Sequence, residues 1–340
     1  RESTSPPAQQ APTRVRDSGT SGARVAVCVV GQLSRLEMES KRANLLLPSA
    51  ALRPAALHIF LALEQHSHLY SNLDMGAILA QQHPSCTRDP DLSHVRRRLA
   101  PWLVDIALTN HTRQPVDMRC WRRYRPDRPH AERETRMQHH ASQWVHMRTC
   151  FERIVEREAR EAVPYDLVLK LRDSTLVVSP LALSAASLAR GGAASAKACV
   201  SWGGYHDKVM LIPRAQLRGA LGGVATEVLA ASRSGSERCG TREYRVGNSE
   251  QLLRRVLERH RVPVATVPAD ELPLVDGRCT PHGWCLVEPG KDCWPIGYMW
   301  AAQPCSQLNA TESQRLLYAQ RWVERRTILP SLAKGVALTE

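Results

Sequence analysis

The sequence predicts an α/β fold: a doubly wound, mostly parallel sheet flanked by helices, with a Cys-rich C-terminal extension. Three observations carry this. Short, nearly continuous apolar runs of strand length recur, as strands buried on both faces require. Segments with helical spacing separate them, and alternation of the two kinds is the signature of a parallel sheet with crossover helices. The chain has 340 residues, 43% of them hydrophobic, enough for one large domain or two small ones.

The first strand is Arg24 to Val30, an apolar run ending at Gly31. Gln32 to Leu47 then reads as a helix that stops at Pro48. Leu57 to Leu63 is a second buried strand, Asp91 to Leu99 a helix, and Leu103 to Leu108 a third strand. From His130 to Glu161 a long helix is expected, with Met137, His140, Trp144, Met147, Phe151 and Ile154 facing the sheet and Glu158 facing away. The Met and Trp stripe is core. His139, His140 and His146 read as surface or packed imidazoles, since no acidic ligand pattern accompanies them. Asp166 to Leu171 is the next buried strand, and Thr175 to Val178 continues it after a turn. Gly191 to Lys197 is a small-residue loop, and two strands, Ala198 to Trp202 and Lys208 to Ile212, flank Gly203 to Asp207. Arg214 to Ala231 is mostly helical. Asn248 to His260 is an amphipathic helix capped by Asn248 or Ser249, and Val262 to Val267 closes the sheet.

Net charge is +13, which favours anionic partners such as nucleotide diphosphates or acidic glycans. No zinc-finger or aromatic RNA-binding signature occurs, so nucleic acid is not an expected partner. Ten cysteines are many for a cytosolic enzyme of this size. Cys279, Cys285, Cys293 and Cys305 lack paired C-x-x-C spacing, so disulfides are preferred to zinc. Cys28 and Cys150 lie on apolar faces, as buried thiols or as pairing partners. Two N-glycosylation patterns, at Asn110 and Asn309, tilt the compartment toward the secretory lumen, with the Golgi as the expected place. Residues 1–23 are rich in Ser, Pro, Thr and Gln and read as a flexible stem. Residues 24–275 form the α/β domain and 276–340 the extension. No stretch of transmembrane length occurs, so a membrane would be reached only through an anchor outside this chain.

In an open α/β sheet, chemistry gathers beyond the C-terminal ends of the strands. Here the fourth strand runs into Arg172-Asp173-Ser174, where a carboxylate can bind a divalent cation and the cation a diphosphate. Arg172 supplies a guanidinium fork for phosphate. The alternative is an Asp opening a surface turn. After the first strand come Gly31 and Arg35: a phosphate contact, or a plain turn and a solvated helix charge. The chain lacks G-x-G-x-x-G and G-x-x-x-x-G-K-S/T, which disfavours a dinucleotide dehydrogenase and a P-loop kinase. Asp207 follows Gly203 and Gly204, glycines that permit close approach of a ligand, or it caps a hairpin turn. Glu250 is an acceptor base, or an acid placed by the helix dipole.

Together these segments resemble GT-A-fold glycosyltransferase-like proteins of the secretory pathway. The resemblance rests on Val29-Val30-Gly31-Gln32-Leu33-Ser34-Arg35, on Gln143-Trp144 and Cys150, and on Tyr165 to Asp173. Gly204 to Val209 and Ser249-Glu250-Gln251-Leu252-Leu253 complete it. It spans about Arg24 to Val267 and departs at the metal motif, because Leu171 and Thr175 stand where a second acid would complete Asp-x-Asp. It implies a nucleotide-sugar donor, a divalent cation (Mn or Mg) held by Asp173, and a glycan or glycoprotein acceptor. Gly31, Arg35, Arg172 and Asp173 would bind the donor, with Asp207 and Glu250 at the reacting centre. On that view Asp173→Ala abolishes transfer with little effect on thermal stability. Two other readings stand beside it: a sulfotransferase-type or other anion-using transferase, and a non-catalytic glycan-binding module.

Overall fold

The computed structural model describes residues 22–65, 89–110, 118, 126, 129–183, 191–198, 202–233, 246–269, 271–280 and 283–286. The expected stem, most of the Cys-rich extension, Asn309 and six of the ten cysteines lie outside these residues.

Ten strands are described: β1 (Arg24–Gln32), β2 (Ala56–Gln65), β3 (Leu103–Asn110), β4 (Leu167–Arg172), β5 (Thr175–Val177), β6 (Ala194–Lys197), β7 (Met210–Pro213), β8 (Val264–Val267), β9 (Leu274–Thr280) and β10 (Gly283–Leu286). Seven form one sheet in the order β3-β2-β1-β4-β7-β6-β8. Every pairing is parallel except those of β7, which runs against both β4 and β6. The doubly wound, mostly parallel α/β expectation holds.

Both faces of this sheet are covered. Alternate side chains of β1 point opposite ways, and all are buried, which is why the sequence reads as a continuous apolar run. Ala26, Cys28 and Val30 meet helix α3 (His130–Glu161) through Met137, Trp144, Met147, Cys150 and Ile154. Helix α4 (Arg218–Gly223 continued by Val224–Arg233) and α5 (Ser249–Arg259) complete this layer. Cys28 and Cys150 are joined by a disulfide, tying the centre of the sheet to α3. Val25, Val27 and Val29 face α1 (residues 39–51) and α2 (Leu92–Leu99). Helix α1 is built of Glu39–Lys41, Arg42–Leu46 and Leu47–Ala51.

Several expectations are corrected. Pro48 does not stop α1. The ring frees the Asn44 carbonyl from its helical partner, and Leu181 N–H takes that carbonyl at 2.7 Å while residues 42–46 widen into a π turn. The segment after β4 does not prolong that strand. It turns away as β5 and pairs with β9 in a separate three-stranded sheet, β10-β9-β5. A strand, β6, lies inside the stretch read as a loop, because Ala and Ser give it little strand signal; most of the strand expected at 198–202 lies outside the described residues. Glu158 does not face away from the sheet: it is buried, accepting from Tyr165 N–H at 2.9 Å and pairing with Arg214 at 2.7 Å.

Candidate active site at the edge between β1 and β4

The chain leaves β1 for β2 and β3 on one side and reaches β4 on the other. The sheet therefore changes direction between β1 and β4, and such a switch point leaves a crevice beyond the strand ends. A small pocket open to solvent lies there, lined by Gly31, Gln32, Arg35, Glu64, Arg172 and Asp173 from the strand ends and by His139, Ser142, Gln143 and His146 of α3. Four of the expected residues, Gly31, Arg35, Arg172 and Asp173, thus share one pocket.

Gly31 and Asp173 are one device. Gly31 lies inside β1 at φ 141°, and a Cβ there would stand 2.3 Å from the Asp173 carboxyl carbon. The missing side chain admits the carboxyl group into the space beside β1. Asp173 is fully buried. It accepts from Gln32 N–H and Ser174 N–H, both at 2.8 Å, and Arg35 Nε stands 3.8 Å away. The Asp173 backbone N–H donates to Val30 at 2.8 Å, and its carbonyl accepts from Glu37 N–H at 3.0 Å and Lys41 Nζ at 2.9 Å. Arg35 also donates to the Ser174 hydroxyl at 3.0 Å.

This geometry decides how the groups fit ligands. Both Asp173 oxygens already accept from backbone amides, and among the described residues no group of three or more His, Cys, Asp or Glu side chains converges as a cation would require. The donor set around Asp173 does not fit a divalent cation. The guanidinium groups of Arg35 and Arg172 do fit an anion. The expectation that Asp173→Ala would leave stability nearly unchanged is also corrected: removing this carboxylate orphans two buried amides.

The other two expected residues, Asp207 and Glu250, do not line this pocket. The Asp207 backbone carbonyl accepts from Lys170 Nζ of β4 and, at 3.4 Å, from Gln143 Nε2 of α3. Burial pushes the Asp207 carboxyl up, but Arg172, Lys170, Lys208 and His140 together outweigh it and hold it well below the usual carboxylate range. Glu250 goes the other way. Burial and then the Asp207 charge push it up to about 7, against the Ser249 hydroxyl, which donates to it at 2.9 Å. Two acids are thereby driven apart: one permanently ionised, one poised near neutrality. Burial likewise lowers the Lys170 amine to about 7, with Asp207 opposing.

Gly204 permits a close approach, but of the chain itself. A Cβ there would sit 2.0 Å from the Glu250 carbonyl, and Tyr205 N–H donates to that carbonyl at 3.1 Å. Asn248 caps α5, its Oδ1 accepting from Gln251 N–H at 2.8 Å.

Sequence reasoning missed Asp276. It is ion-paired with Lys208, and although burial raises its carboxyl, Lys208, Arg172 and Arg35 bring the net shift down. Arg172, which lines the pocket, lowers both the Asp207 and the Asp276 carboxyls. The α3 residues 139, 142, 143 and 146 were legible as a polar stripe at i, i+3, i+4 and i+7 beside the apolar one. His146 is buried, held near 4 by desolvation, and bonded through Nε2 to the Thr109 hydroxyl at 2.9 Å.

No protein-family model matches this chain. No curated protein matches it either. Among solved structures it is similar to a nucleoside-diphosphate-sugar pyrophosphorylase from Vibrio cholerae, at 10% identity and TM-score 0.32, over 74% of this chain and 94% of that one. It is also similar to mouse xyloside xylosyltransferase 1 in its apo form, at 7% identity and TM-score 0.33, over 73% and 86% of the two chains. Both likenesses are too distant to carry chemistry across.

Proposed function

We propose that the chain is a glycosyltransferase that binds a nucleoside-diphosphate sugar at the edge between β1 and β4 and transfers the sugar to an acceptor hydroxyl. The observation that supports this reading is the pocket at the switch point, which Arg35 and Arg172 line together; the Glu250 carboxyl, raised toward neutrality by burial and by the Asp207 charge, is the candidate base.

In this reading Arg35 and Arg172 hold the diphosphate. Glu250 takes the acceptor's hydroxyl proton as the acceptor oxygen bonds to the anomeric carbon. The bond from that carbon to the phosphate oxygen breaks, and the two guanidinium groups neutralise the departing charge. Asp207 keeps Glu250 basic enough to accept a proton near pH 7. Asp173 fixes the strand ends and Arg35 rather than touching substrate, and no step runs through a cation. The acceptor is a glycan or glycoprotein. The Cys28–Cys150 disulfide supports an oxidising compartment, the secretory lumen.

A second reading has one observation behind it. The engagement of Asp173 with backbone amides, in place of a cation, favours a glycan-binding module without transfer. A panel of UDP- and GDP-sugars, scored for nucleotide release with and without chelator, separates the two. Release from at least one donor, insensitive to chelator and lost in Glu250→Gln, supports transfer. Glycan binding with no release from any donor supports the module, and a Glu250→Gln variant as active as the parent removes Glu250 as base.

A further inference from the structure

Trp202 is the most exposed large apolar side chain among the described residues, at 67%. The other two, Leu47 and Leu52, belong to α1 and the turn after it, on the opposite face of the sheet. Among the described residues the indole is therefore a single exposed aromatic surface, with no second large apolar side chain exposed on its face of the sheet.

Its backbone is also unusual. Trp202 has φ 42°, a left-handed conformation that a bulky residue adopts only when its surroundings force it. Two side-chain amides anchor its carbonyl. Asn248 Nδ2 donates to the Trp202 carbonyl at 3.1 Å, and Gln251 Nε2 donates to the same oxygen at 3.0 Å. The other ends of both amides are committed: Asn248 Oδ1 caps α5, and Gln251 Oε1 accepts from Gly247 N–H at 2.8 Å. Two residues further on, Gly204 lies against the Glu250 backbone. The first turn of α5 thus anchors the Trp202 carbonyl and packs against the same loop at the backbone of the half-buried Glu250.

We propose that Trp202 is the stacking platform for the acceptor, and that the acceptor is a pyranoside with a face of axial hydrogens. This rests on the assignment of Glu250 as the acceptor base. A sugar ring stacked on an indole face gains apolar contact while its rim hydroxyls stay hydrated or hydrogen-bonded. An indole that is the one exposed large apolar side chain on its face among the described residues suits that ligand. The shared anchoring on the first turn of α5 would then bring an acceptor hydroxyl near the base.

The test uses the full chain without nucleotide. Saturation-transfer NMR and titration are run with methyl β-D-glucopyranoside, methyl β-D-galactopyranoside and methyl β-D-xylopyranoside on the parent, Trp202→Ala and Trp202→Phe. UDP and GDP binding to each protein is measured separately. The expected result is binding of at least one glycoside, weakened about tenfold or more in Trp202→Ala and retained in Trp202→Phe, with nucleotide affinity within about twofold of the parent. Equal glycoside binding by Trp202→Ala overturns the proposal. So does binding of no glycoside by the parent, or Trp202-dependent sedimentation with phosphatidylcholine vesicles instead. Failure of both nucleotides to bind the parent, with Trp202-dependent glycoside binding intact, would sink the donor-site reading and leave the platform standing.

Discussion

Replacing Glu250 by Gln is expected to make the protein more stable at alkaline pH while abolishing transfer. Burial and Asp207 raise this carboxyl from 4.5 to about 7, a penalty on the ionised form of about 3 kcal/mol at full effect. The sign follows from the direction of the shift. A carboxyl whose folded value lies above its unfolded one contributes its full stability below pH 4.5 and loses it as the pH rises through about 7. Gln resembles the protonated acid and carries no such penalty. Denaturant unfolding of both proteins at pH 5, 6.5 and 8 should show nearly equal stabilities at pH 5 and a gain for Glu250→Gln of about 2–3 kcal/mol at pH 8. The corresponding rise in melting temperature is roughly 5 °C. A difference that does not change with pH, or a less stable variant at pH 8, would refute the argument that Glu250 is buried next to a fixed negative charge.

Asp207→Asn removes the second-ranked cause of that shift, so the acid limb of the pH–rate profile should move down, by about one pH unit; an unmoved limb would separate Glu250 from Asp207. Asp173→Ala should lower stability by about 3 kcal/mol or more, because it orphans two buried amides and leaves a cavity; unfolding at the parent's denaturant midpoint would contradict the buried position. Gly31→Ala should be similarly damaging, at least about 3 kcal/mol, since the new methyl meets the Asp173 carboxyl in a backbone conformation that disfavours it. Removing the Cys28–Cys150 link by Cys150→Ser should cost about 4 kcal/mol through the long loop it closes, read as a melting temperature that no longer responds to reductant.

The alternation of buried strands and helices made the sheet legible, and α3 was placed end to end because its apolar stripe runs between Pro129 and a left-handed Ala162. The switch-point position of Arg172 and Asp173 followed from the same pattern. What Asp173 does there did not, since it depends on the backbone angle of Gly31, which no spacing reveals. Pro48 misled for a similar reason: the group that takes the freed carbonyl, Leu181 N–H, lies far along the chain. Asp276 was invisible because β9 reaches the site only by pairing with β5, about a hundred residues earlier. Gly203 and Gly204 were read as admitting a ligand, whereas the groups that approach them are the side chain of Gln251 and the backbone of Glu250.

The central claim is that the two guanidinium groups at the edge between β1 and β4 bind a nucleoside diphosphate. Isothermal titration of UDP and GDP into the parent protein and Arg172→Ala tests it most directly. The account predicts binding of at least one nucleotide by the parent and a loss of about tenfold or more, equivalent to about 1.4 kcal/mol, in the variant. Heat-silent titrations with both nucleotides and no accompanying thermal stabilisation of the parent, or equal affinity in Arg172→Ala, would contradict it.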